Sequence, residues 1–115
     1  MAVGLTMNVD EIDKKIVVRL EGRIDAATAP LLERKLNHLL EGKHHHVLLD
    51  FTQVEYMSSA GMRVLLSTTK KLKAHKGHLV LFALTEEVAE IVRLAGFDKI
   101  LHLCSSEKEA LQLKL

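Results

Sequence analysis

Two neighbouring hydroxyls, Ser58 and Ser59, are the best-placed chemical groups in the chain, within Met57-Ser58-Ser59-Ala60-Gly61-Met62-Arg63. The apolar run ending at Asp50-Phe51 reads as a strand. Thr52 to Met57 reads as a short polar turn, and a helix opens at the serines. The first turn of a helix presents unpaired backbone N–H groups and the positive end of the macrodipole. A phosphate on a serine there is stabilised by the backbone it sits on. The same place suits a plain helix cap. The residues leave both readings open, and Ser58 can cap while Ser59 faces outward.

Other chemistry finds little support. His44, His45 and His46 are consecutive and cannot converge on one ion from a single strand or turn, so they read as a solvated turn before a strand. His75 and His78 flank Gly77 and read as turn residues, and His102 as a half-buried or surface residue of the last strand. No metal and no cofactor is expected. Cys104 is the only cysteine, which excludes an intrachain disulfide and suits a reducing compartment. It reads as a small core residue. No Gly-x-Ser-x-Gly elbow surrounds the serines. The glycines stand singly at element ends, unlike a phosphate-cradling loop. An enzyme is therefore not expected.

These groups need a scaffold, and 115 residues with 48% apolar content suffice for one domain over 1–115. With no Trp, one Tyr and three Phe, the core must be Leu, Val, Ile and Ala. A net charge of +1 and few aromatics argue against nucleic-acid binding. No apolar run reaches a membrane span, and Met1 to Asp10 lacks the pattern of a signal peptide. A cytoplasmic protein without a membrane partner is expected.

Leu5–Val9 and Ile16–Leu20 read as strands joined by a polar connection over Glu11–Lys15, with Glu21-Gly22 ending the second. Pro30 is tolerated only in a helix's first turn, so the first helix starts near Ala26–Ala29. Leu31, Leu32, Leu36, Leu39 and Leu40 form its apolar face, and Gly42 stops it. Val47–Phe51 and His78–Phe82 have the continuous apolar character of buried parallel strands. Between them lies the helix after the serines, with Met62, Leu65, Leu66, Thr69 and Leu72 on one face and Gly77 closing it. Thr85 caps a third helix ending at Gly96. Lys99–Leu103 reads as a last strand, and Ser106-Glu107-Lys108-Glu109 as a capping box opening a terminal helix. The order β-β-α-β-α-β-α-β-α predicts an α/β domain with a mixed, mostly parallel sheet of about four or five strands.

Two stretches resemble the STAS-domain anti-sigma-factor antagonists. They are Leu20-Glu21-Gly22-Arg23-Ile24-Asp25 before the first helix, and Leu48-Leu49-Asp50-Phe51 through Val54-Glu55-Tyr56-Met57-Ser58-Ser59-Ala60-Gly61-Met62. Element order agrees over essentially the whole chain. The resemblance implies a phosphate acceptor two residues before the motif glycine, which is Ser59. Ser58 stands where relatives often carry Asp, and is the competing acceptor. It also implies partner switching. The unphosphorylated protein binds an anti-sigma factor that is a serine kinase of the histidine-kinase-like ATPase type, which frees the sigma factor. Phosphorylation separates the pair, and a PP2C-like phosphatase restores binding. By the same register the partner surface takes in Asp25, Thr28, Met57, Ser58, Ser59, Ala60, Gly61, Met62 and Arg63, while Asp25 has an equal claim as a mere helix cap. A monomer is expected, since a transient partner must reach Ser59. The alternative is a STAS-type accessory or scaffold subunit of a transporter or signalling complex, without a phosphorylation cycle.

Overall fold

In the computed structural model, which describes residues 4–42 and 44–115, the chain opens with a tight hairpin. Met1 to Val3 and Lys43, part of the expected domain and, for the first three, of the N-terminal reading, lie outside the described residues. β1 (Leu5–Ile12) and β2 (Lys15–Ile24) are antiparallel. Only Asp13 and Lys14 separate them, at φ of 52° and 68°. Two left-handed residues in succession make the turn whose twist matches the flanking strands. The five-residue connection expected over Glu11–Lys15 is therefore a two-residue turn, and both strands are longer than their apolar runs.

The remaining elements alternate: α1 (Ala29–Glu41), β3 (His46–Met57), α2 (Ser59–Ala74), β4 (His78–Phe82), α3 (Glu86–Leu94), a short 3₁₀ turn (Phe97–Lys99), β5 (His102–Cys104) and α4 (Glu107–Leu111). The sheet runs β1-β2-β3-β4-β5, with β2 to β5 parallel. The α/β class and element order expected from the sequence hold. The last strand begins three residues late, because Phe97–Lys99 coils into the 3₁₀ turn.

Alternation across the strands explains their unbroken apolar runs. Val47, Leu49 and Phe51 face one core with Leu32, Leu36, Leu65, Leu72, Val88 and Val92 of α1, α2 and α3. Val17, Leu48, Val80 and Phe82 face the opposite side, where Ala110 of α4 covers them and Cys104 is buried. Each fully buried leucine contributes about 1.5–3 kcal/mol through burial. On this second side Arg19 bonds Asp10 (2.9 Å), Asp50 (3.0 Å) and Glu107 (2.7 Å). Lys15 Nζ donates to the Leu111 and Leu113 carbonyls at 2.6 and 3.2 Å. Arg19 thus holds the start of α4 to the sheet and Lys15 holds its end.

β3 is the main departure from the sequence reading. Thr52–Tyr56 is strand, not a polar turn. Pairing of β2 with β3 shifts register between Arg19 and Glu21 and again between Gly22 and Arg23, so β3 takes up two extra residues as bulges. These bulges break the period-two pattern by which a strand is recognised. They also carry β3 directly to Ser58.

Candidate functional site

The carboxyl ends of β2 and β3 lie side by side, Ile24 against Met57, and α1 and α2 start from them. Ser58 is the N-cap of α2, with extended backbone (φ −89°, ψ 172°), and its Oγ accepts from the Gly61 N–H at 3.3 Å. Its own N–H donates to the Ile24 carbonyl at 2.8 Å, which ties the turn to β2. Ser59 is the first helical residue and is exposed. Among the described residues its hydroxyl makes no hydrogen bond. Cap and free hydroxyl, open alternatives in the sequence, fall to Ser58 and Ser59 respectively.

Gly61 lets this first turn sit so close to β2. A Cβ there would lie 2.5 Å from Ile24 Cγ2 and 3.1 Å from Met57 Cγ. Side chains cannot pack at such distances, so the glycine is a steric requirement.

Asp25 organises the other helix start. Its Oδ1 accepts from the N–H groups of Ala27 and Thr28, each at 3.0 Å. Thr28 Oγ1 donates to the Arg23 carbonyl at 2.7 Å and accepts from the Asp25 N–H at 2.9 Å. The Thr28 N–H bond, followed by the Thr28 hydroxyl and the Ala27 N–H, holds the Asp25 carboxyl below the usual carboxylate range; Arg23 helps and partial desolvation opposes. The N-cap position of α1 is Thr28, without a side-chain cap bond, so Asp25 is not the cap expected from the sequence: its carboxylate braces the turn that leads into the helix. Asp25 remains half-exposed, so one carboxylate can both brace this turn and face solvent.

All nine motif residues meet at this end of the sheet, but they do not form one surface. Ser59 and Arg63 are exposed, and Asp25, Ser58 and Ala60 are half-buried. Thr28, Met57, Gly61 and Met62 are buried, Met57 completely. These four hold the loops in place from beneath. The bulge register adds a pair that sequence spacing did not single out. Arg23 lies opposite Tyr56, with its guanidinium 4.6 Å above the ring centroid, a cation–π contact. The signal that finds it is strand pairing, which a one-dimensional pattern lacks. Beside the bulges, Glu21, Glu55 and Glu87 line an acidic groove. Among the described residues no three His, Cys, Asp or Glu side chains gather as a metal site. Among the described residues no helix is long and apolar enough to cross a membrane.

Comparison with known proteins identifies the family and the fold. The family model of the STAS domain matches residues 6–110. BtrV of Bordetella bronchiseptica, which carries the name anti-sigma factor antagonist, is 33% identical over 106 residues, covering 92% of this chain and 91% of that protein. The crystal structure of an anti-sigma factor antagonist from Mycobacterium paratuberculosis superposes with a TM-score of 0.84 at 29% identity, over 93% of this chain and 91% of that one. Unphosphorylated SpoIIAA shares the fold with a TM-score of 0.77 at 19% identity, over 92% of this chain and 93% of that one. A phosphorylated SpoIIAA structure from Bacillus shares it with a TM-score of 0.69 at 18% identity, over 92% of this chain and 96% of that one. This chain belongs to the STAS domain family.

Proposed function

We propose that this protein is a phosphorylation-switched anti-sigma factor antagonist that works in the cytoplasm by binding rather than by catalysis. Unphosphorylated, it binds an anti-sigma factor that is also a serine kinase of the histidine-kinase-like ATPase type, and the sigma factor is released. The kinase transfers the γ-phosphoryl group of ATP to Ser59, ADP leaves, and the complex separates. A PP2C-like phosphatase hydrolyses the ester and resets the cycle.

The observation that carries this reading is the division of labour between the two serines. Ser58 caps the helix, so Ser59 is free of structural duty and exposed at the N-terminus of α2. The names of the relatives supply the partner class. Phosphate adds about −1.5 to −2 charges at a place where the helix tolerates them. The fold need not move: a charge buried against a closely fitting partner costs several kcal/mol, which is orders of magnitude in affinity. The exposed Arg63 and half-buried Asp25 would contribute to the docking surface, and the buried residues beneath would fix its shape.

The test is incubation with the cognate anti-sigma kinase and ATP, followed by mass spectrometry. One phosphate on wild type and Ser58→Ala, and none on Ser59→Ala, is the expected result. Modification at Ser58 overturns the assignment of the acceptor. A native pull-down that returns transporter subunits and no ATPase-type kinase overturns the function.

A further inference from the structure

The geometry points to the free edge of β1 as a self-association surface, pairing antiparallel with β1 of a second copy about a two-fold axis through Asn8. β1 is an eight-residue edge strand that contains neither proline nor lysine. An edge strand with no proline, lysine or bulge presents a row of unpaired backbone groups to another strand. In a two-residue hairpin of this turn type the flanking residues, Ile12 and Lys15, form a hydrogen-bonded pair. Register is unbroken from there to Leu5 against Gly22, and the Arg23 N–H bond to the Gly4 carbonyl (3.0 Å) keeps the same parity. Even-numbered residues of β1 therefore bond to β2, and the backbone groups of Leu5, Met7, Val9 and Glu11 point to the open edge. An axis through Asn8 sets Met7 opposite Val9 of the second copy, and Leu5 opposite its Glu11. Among the described residues, the outward backbone groups of these four have no partner.

The side chains agree with this pairing. Val9 is 37% exposed and Leu31 of α1 is 43% exposed, large apolar groups left at the same border. Met7 and Leu31 line a shallow groove whose other walls are Arg34, Lys35 and His38. Glu11 shares a face with Met7 and Val9, whereas Asp10 is on the opposite face, paired to Arg19, so Glu11 is the acidic group of this face and the adjoining groove is basic. Two-fold pairing brings the Glu11 end of each strand to the Leu5–Met7 end of the other, where Arg34 and Lys35 stand. The surface is complementary to itself in charge, as a two-fold contact requires. β1 lies on the far side of β2 from β3, so a second copy leaves the Ser59 end open. The need to expose Ser59, which motivated the expectation of a monomer, is met in the dimer as well.

Sedimentation equilibrium of the full chain, from micromolar to millimolar concentration at low and high salt, tests this. The expected result is a monomer–dimer equilibrium weakened by salt, with amide exchange at Met7 and Val9 slowing as the dimer forms. Val9→Lys, with its fold verified by circular dichroism, is expected to weaken dimerisation about tenfold or more. Glu11→Arg should weaken it too, and adding Arg34→Glu in the same chain should restore it. A monomer at every concentration overturns the proposal, as does a dimer that Val9→Lys leaves unchanged.

Discussion

The two ends of the parallel strands are built from opposite materials. At the carboxyl ends of β2 and β3, two helices begin, and short oxygen side chains accept from backbone N–H groups of the turns that open them: Asp25, Thr28 and Ser58. At the amino ends of β3 and β4, α2 finishes among histidines and lysines. His46 and His78 are register partners with their Nδ1 atoms 3.4 Å apart, and His45 stacks on His75 at 6.1 Å. The sequence reading of His44, His45 and His46 as a solvated turn is corrected at His46, which begins β3 and is half-buried; His78, read as flanking a turn and opening a strand, begins β4 and is half-buried. The first end offers helix N-termini to an anion, and the second carries positive charge beside helix C-termini. The proposed phosphorylation switch belongs to the first of them.

The largest effect expected from breaking this contrast is at Ser59. Ser59→Asp places a negative charge on the proposed docking surface and should weaken binding of the anti-sigma kinase about tenfold to a hundredfold, measured by calorimetry. A glycine pair comes next. A Cβ at Gly77 would lie 2.2 Å from the His45 carbonyl oxygen, a backbone atom, whereas at Gly61 it meets the Ile24 side chain at 2.5 Å. Gly77→Ala should cost about 2–3 kcal/mol in urea unfolding, near the upper range for overpacking, and Gly61→Ala somewhat less. Kinase affinity should separate them, because Gly61→Ala displaces the turn that carries Ser59, and Gly77→Ala does not. Equal loss of affinity in both would mean that the ends are not independent.

Ser58→Ala should cost about 1 kcal/mol, the usual value of a lost N-cap, while Ser59→Ala leaves stability nearly unchanged. Thermal denaturation of the two single variants reads this difference directly.

The smallest effect is set by pH. Desolvation, then the nearby His78, His45 and Lys15, lowers the His46 pKa below its ordinary value of 6.5. The unfolded chain therefore binds this proton first as pH falls. The stability tied to His46 is fully present above about pH 6.5 and declines below it, down to the lowered folded value. The Asp25 carboxyl, whose pKa is lowered in the folded state, keeps its charge throughout that window. Melting temperatures between pH 7.5 and 5 should fall, and His46→Gln should flatten part of the slope. An unchanged slope would show that the histidine end does not titrate with folding.

The same contrast explains what was legible in advance. The cap of α3 at Thr85, whose Oγ1 accepts from the Val88 N–H at 3.2 Å, and the strand His78–Phe82 stand as read. Such features depend on neighbours a few residues away. Ser106 also caps α4 as expected, accepting from the Glu109 N–H at 3.1 Å. The reciprocal half of that capping box is altered, since the Glu109 carboxylate accepts from the Ser105 hydroxyl at 2.5 Å. The extension of β3, the Arg23–Tyr56 contact and the His46–His78 pair all arise from strand pairing. Residues more than thirty positions apart meet there, and bulges alter which side chains share a face.

Local chemistry therefore determined, from the amino acids alone, that this chain alternates strands and helices and opens its second helix on two hydroxyls. Tertiary structure decided which hydroxyl is free. It brought the Ile24 carbonyl to the Ser58 N–H and let Gly61 approach Ile24, so that Ser58 turned inward as the cap and Ser59 outward. That choice follows from the meeting of two strand ends, a contact between segments distant in sequence.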